Sequence, residues 1–217
     1  MYNKRIHKYQ KIPLLSVPEN IEEWYKNQDF SENEITVFKL RHIFIRSPDI
    51  EEVIMRNVLK EIKDDQKRIE NYKTNIEYIN NEESENVLLK LLNENSFQDC
   101  RVEIINKLIS INENIFLKVL ELLENDYTDI FFDNSLRILS RTALKRDISK
   151  EIISFINSNS IRDPKDFSSI IQILGCCKNE EVLQILFSIY NYLVDNFPDD
   201  EYYEGPLFGL MYYFNNA

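Results

Sequence analysis

Four octets decide the fold: IINKLISI at Ile104–Ile111, SLRILSRT at Ser135–Thr142, IIQILGCC at Ile170–Cys177 and GPLFGLMY at Gly205–Tyr212. In each, an aliphatic or aromatic residue stands immediately before a small one: Ile109 before Ser110, Leu139 before Ser140, Leu174 before Gly175, Phe208 before Gly209. The small residues lie 30, 35 and 34 positions apart, and apolar residues precede each by about one helical turn. A period of 30 to 35 residues that holds two helices is the mark of an α-solenoid, in which a helical hairpin buries its apolar face only by stacking on its neighbours.

Working outward, the octets sit in a series of short amphipathic segments separated by Asn, Asp and Ser turns. They run over 83–94, 98–111, 113–125, 127–143, 147–158, 164–177, 179–196 and 203–215. Short loops between helices make antiparallel neighbours. Upstream, Ser31 and Glu34 form a capping pattern that opens a run with Ile35, Phe38, His42 and Ile45 on one stripe, ending at Ser47 and Pro48. Asp49 then caps a segment to about Asn80, read either as one long helix with a charged, solvated middle or as two helices broken near Asp64 and Asp65. Residues 1–30 read as an irregular arm, because Pro13 and Pro18 favour extended backbone before them. Only ENIEEWYKN in that arm has a helical pattern, and Trp24 is expected to pin it to the first helices. The organisation is therefore an arm at 1–30, N-terminal helices at 31–82 and a repeat region at 83–217, packed as one body.

Composition agrees with an all-α fold. The chain has 217 residues, 43% hydrophobic and 29% charged, with only three glycines and six prolines. A sheet-rich fold needs turn residues every ~8 to 12 positions, which this chain can hardly supply. No apolar run approaches the ~20 residues of a membrane span, and the basic start MYNKRIHKYQK leads into no apolar signal core. The expectation is a soluble cytoplasmic protein with no membrane partner. Cys100, Cys176 and Cys177 make no disulfide framework, being odd in number, and read as buried free thiols.

Over about residues 83–217 the chain resembles the HEAT-like repeat family in its short bacterial form. The aliphatic-leucine-small ending of each first helix carries the resemblance, with the acidic turns before it at Asp99, Asp129, Asp163 and Asp200. It implies a right-handed solenoid of helical hairpins, with a helical N-terminal extension, in which the small residue lets paired helices approach closely. Arg101 occupies the family's frequent arginine position, whereas later repeats offer only Arg162 outside it and no equivalent near Tyr203.

Catalytic spacing is missing. The two histidines, His7 and His42, are isolated, and no zinc, triad or glycine-rich phosphate pattern is present, so no cofactor or metal is expected. Residues 1–80 carry 14 basic and 14 acidic side chains; residues 81–217 carry 12 and 23, so 12 − 23 = −11, the whole net charge. Such a surface repels nucleic acid and steers a basic protein. A DNA-glycosylase-like helical-repeat enzyme, which needs a basic channel, is the alternative that this charge disfavours. Two acidic groups stand out: Asp126, Asp129 and Asp133 at helical spacing, and Asp199, Asp200, Glu201 and Glu204 after Pro198. Each acid also suits a helix N-terminus. Tyr202 and Tyr203 beside the second group, in a chain of 12 tyrosines, supply contact area at low entropy cost. The sequence thus reads as a non-enzymatic scaffold, of the immunity or antitoxin-like kind, covering a basic toxin with these residues.

Overall fold

Helices form where the apolar period places them. A computed structural model describes residues 12–28, 66–124, 129–158, 164–177 and 179–215, and no strand occurs among the described residues. In chain order the helices are α1 (Ile21–Lys26), α2 (Gln66–Asn81), α3 (Glu85–Leu91), α4 (Arg101–Ile111), α5 (Ile115–Glu124), α6 (Asp129–Ala143), α7 (Ser149–Asn157), α8 (Pro164–Leu174), α9 (Glu180–Asn196) and α10 (Glu204–Asn215). A short 3₁₀ turn at Asn95–Cys100 replaces the expected first turn of α4, and another at Glu201–Tyr203 leads into α10. Helix α5 starts two residues later than its pattern because the Asn112 side chain accepts from the Asn114 amide, holding a turn that competes with the helix. His7, His42, the run opening at Ser31 and the first part of the segment from Asp49 lie outside the described residues, as does the question of one helix or two there.

The chain falls into two compact units, Arg41–Arg141 and Met1–Leu40 with Thr142–Ala217. In the first, Ile79, Leu88, Ile104, Ile105, Leu108 and Leu123 are fully buried. Polar links bind α2 to α4 and the turn before it: Arg68 donates twice to Asp99, at 2.6 and 2.5 Å, and the Tyr72 hydroxyl donates to Glu103. The bidentate geometry matches the guanidinium fork to the carboxylate.

In the second unit the glycines explain the packing. A Cβ on Gly175 would stand 1.9 Å from the Gly209 carbonyl oxygen, and one on Gly205 would stand 2.0 Å from the Ser168 carbonyl oxygen. Helices α8 and α10 therefore touch backbone to backbone along Ser168, Gly175, Gly205 and Gly209, and they run parallel, since both partners advance together. Ser168 secures the start of α10. Its hydroxyl donates to the Tyr202 carbonyl at 2.6 Å and accepts from the Gly205 amide at 3.0 Å. From Gly205 to Tyr212 every residue of α10 is buried, as a helix packed on several sides must be. The small-residue register holds less well elsewhere: Ser140 is buried, but Ser110 is exposed and merely donates to the Lys107 carbonyl.

The N-terminal arm belongs to this same unit. Its extended stretch lies on α9, where the Leu15 amide donates to the Ser188 hydroxyl at 2.8 Å and Gln184 donates to the Leu15 carbonyl at 3.2 Å. Trp24 packs edge-on against Phe187 and Tyr190, both at 5.2 Å, and Tyr25 stacks on Phe214. The anchor expected of Trp24 is thus fixed to the C-terminal helices, while the run from Ser31 and the start of the segment from Asp49 that it is expected to meet lie outside the described residues. Hydrophobic patterning located the anchor but carried no information about which distant helix offered complementary rings.

Substituting Gly175→Ala is expected to lower the stability of this unit by about 1–3 kcal/mol or more through overpacking. Ser168→Ala should cost about 1–3 kcal/mol by stranding two backbone groups. Ser110→Ala should stay within about 0.5 kcal/mol of the parent. Urea denaturation followed by fluorescence of Trp24, the single tryptophan and a member of this unit, checks the first two, and helical circular dichroism checks Ser110→Ala in the other unit.

Candidate functional site

The strongest concentration of charge follows Lys178. From Asn179 to the last residue there are seven carboxylates (Glu180, Glu181, Asp195, Asp199, Asp200, Glu201 and Glu204) and no lysine, arginine or histidine. Residues 81–178 carry the remaining balance, 12 − 16 = −4. Helices α9 and α10 and the turn between them therefore form an acidic segment with no internal counter-charge.

Within it, Pro198 ends the α9 exit, and Asp199, Asp200 and Glu201 are exposed, while Tyr202, Tyr203 and Glu204 are half-buried. Asp200 occupies the cap position of the 3₁₀ turn yet makes no side-chain capping bond. Glu201 and Glu204 each lie in the first turn of their element, where the dipole favours a carboxylate. The tyrosine rings are held by other rings. Tyr202 meets Phe197 at 5.8 Å and Tyr203 meets Tyr190 at 6.1 Å, both edge-on, and Tyr192 meets Phe197 at 6.4 Å. Such pairs fix orientation and contribute about 0.5–1.5 kcal/mol each. One ring of the final pair, Tyr212, is fully buried, and Tyr213 is only half-buried. Burial, with the Glu180 carboxylate adding to it, raises the Tyr213 phenol above its ordinary value.

The structure gathers Asp199, Asp200, Glu201, Tyr202, Tyr203 and Glu204 at one turn, held in place by Ser168. Asp133 is exposed on α6, in the other unit. Asp129 opens α6, and Asp126 lies outside the described residues. Ser168 and Phe197, which position the turn, carry no charge signal and escape a search for charged clusters. The run without cations after Lys178 is visible in the sequence once charge is summed over the last helices rather than over half the chain.

A second polar group joins the turn before α7 to the turn before α9. Asn179 caps α9 by accepting from the Val182 amide at 2.9 Å, and its amide group donates to Asp147 and to Ser149. Burial opposes ionisation of Asp147, but bonds from the Ser149 hydroxyl and amide and from Asn179 outweigh it and hold the carboxyl below its ordinary value. Beside it, burial chiefly, with the Asp147 charge adding to it, pushes the Cys177 thiol up to about 12, and burial with Glu103 and Asp99 nearby pushes Cys100 up to about 12. Thiols in such surroundings are poor nucleophiles and poor metal ligands. Among the described residues no group of three or more His, Cys, Asp or Glu is placed to hold a metal ion, and no helix is long and apolar enough to cross a membrane.

No protein-family model matches the chain, and no curated protein or solved structure matches it either.

Two outcomes follow from the titration directions. Three pKa units reduce the thiolate fraction about 1000-fold. Cys100 and Cys177 should accordingly react with a disulfide reagent at pH 8 roughly 1000-fold more slowly in the native chain than in urea. Because the folded Asp147 carboxyl sits below its unfolded value, its bonds contribute stability above about pH 4 and are lost as pH falls through the folded value. The Ser149 amide resonance should shift with a midpoint below about 4, and a midpoint above the ordinary aspartate value would contradict this account.

Proposed function

We propose that the chain is a non-enzymatic HEAT-like helical-repeat protein that binds a basic protein partner through the turn Asp199–Glu204, as an immunity or antitoxin-like inhibitor binds its toxin. The repeat part of this reading draws support from the spacing of side-chain links within each unit. Arg68 to Asp99 and Tyr72 to Glu103 span 31 residues, Lys118 to Asn86 spans 32 and Arg141 to Asn106 spans 35. In the other unit Asn179 to Asp147 spans 32 and Ser168 to Tyr202 spans 34. Bonds at about that spacing, among others in the first unit that span from 21 to 42 residues, are what stacked helical pairs make, since each repeat touches only its neighbours. The parallel contact of α8 with α10 fits the same arrangement, which in this family is a right-handed solenoid.

One observation carries the binding part: three exposed carboxylates, Asp199, Asp200 and Glu201, stand beside Tyr202 and Tyr203 in a segment with no cation. Carboxylates there raise the rate of encounter with a cationic surface, and oriented tyrosines supply area without the entropy cost of long flexible side chains. The three thiols suit a reducing compartment such as the cytoplasm.

Capture from the native host at low and at high salt tests the proposal, with the triple substitution Asp199→Lys, Asp200→Lys, Glu201→Lys as the comparison. A basic protein should be retained at low ionic strength and associate at least about tenfold more slowly at high salt or with the triple variant. Salt-independent capture, or retention of acidic proteins alone, would overturn it.

A further inference from the structure

Helices α7 and α9 and the extended arm enclose an open groove of about 240 Å³ lined by Ile12, Ile153, Ile156, Ile185 and Ile189, with the exposed Leu14 and Glu181 also lining it. Apolar cavities of ~150 Å³ already accept a benzene ring, so this one admits a whole aliphatic side chain. Leu14, which lines the groove, is 60% exposed, and the next residue of the arm, Leu15, is 38% exposed. Exposed leucines around an apolar hollow are surface that a partner chain would remove from water. Glu181, exposed in the first turn of α9, belongs to the segment without cations. The arm shows how α9 holds extended backbone, through Ser188 and Gln184 one turn apart.

We infer that this groove docks an extended segment of the basic partner, inserting one aliphatic side chain among the five isoleucines and setting an adjacent lysine or arginine against Glu181. The inference rests on the basic-partner reading above and assigns it a second, apolar contact. Charge complementarity selects the occupant: an aliphatic residue alone would fit the hollow, but only a cationic neighbour answers Glu181. A buried anchor with a charged flank is the usual form of a recognition pocket.

Isoleucine-methyl NMR on the full chain tests this, using a synthetic Lys-Leu-Lys-Ile-Lys peptide and its counterpart with glutamate in place of lysine. The basic peptide should shift the Ile153 and Ile189 methyl resonances saturably, and the acidic one should not. Glu181→Lys, at an exposed position that leaves folding intact, should weaken binding about tenfold, and Ile153→Asp should abolish it with helical circular dichroism unchanged. No saturable methyl shift, equal binding of the two peptides, or undiminished binding by Glu181→Lys overturns the groove assignment. Repeating the titration on the Asp199, Asp200 and Glu201 lysine variant separates the two readings. Groove shifts with partner capture unaffected by that variant uphold the groove and sink the Asp199–Glu204 turn as the binding site. Capture lost in that variant, with no groove shifts in the parent chain, sinks the groove alone.

Discussion

Backbone contact between Gly175 and Gly209 is the constraint on which the C-terminal unit depends. With no room for even one Cβ, α8 and α10 are fixed in distance and in register, and Ser168 falls where it can serve both the Tyr202 carbonyl and the Gly205 amide. The turn that carries the exposed acids is placed by those two bonds. Its position therefore follows from a packing requirement two helices away, and its tyrosines inherit a fixed orientation from Phe197 and Tyr190.

The two units solve the same problem with different chemistry. Between α2 and the α4 region, register is held by polar links, Arg68 with Asp99 and Tyr72 with Glu103. Those residues are half-buried, so part of the Coulomb attraction is screened by water and geometry rather than charge supplies most of the specificity. Between α8 and α10, register is held by steric exclusion, which salt does not weaken. Ionic strength thus acts on the exposed acidic turn and on one unit's lateral links while leaving the helix contact between α8 and α10 untouched.

Much of this was legible in the sequence, for physical reasons that differ by element. Helix positions after Glu82 follow from apolar periodicity and from Asn and Asp turns, and the observed bounds differ by a few residues, chiefly where a 3₁₀ or Asx turn intervenes. The role of Gly175 and Gly209 followed from their place in the period, since a small residue at a fixed step marks a close approach. Ser110 shares that step without sharing the contact, because a register names a position but not what lies opposite it. The partner of Trp24 was illegible for the same reason: Phe187 and Tyr190 are more than 160 residues away, and nothing local marks them. Charge was legible in sum, and its two acidic groups fall in different units, Asp133 in one and Asp199 in the other.

The arm on α9 gives the unit a history in time. Leu15 and Ser188 are 173 residues apart, and a ribosome adding 5–20 residues per second delivers them roughly 10 to 35 s apart. Throughout that interval Ile12, Leu14, Leu15 and Trp24 await a surface that has not been made, whereas Arg41–Arg141 leaves the ribosome as a continuous stretch with its own core. Order of synthesis therefore sets an order of completion: Arg41–Arg141 can close first, and the unit that carries the acidic turn is sealed only when the arm around Leu15 is met by α9.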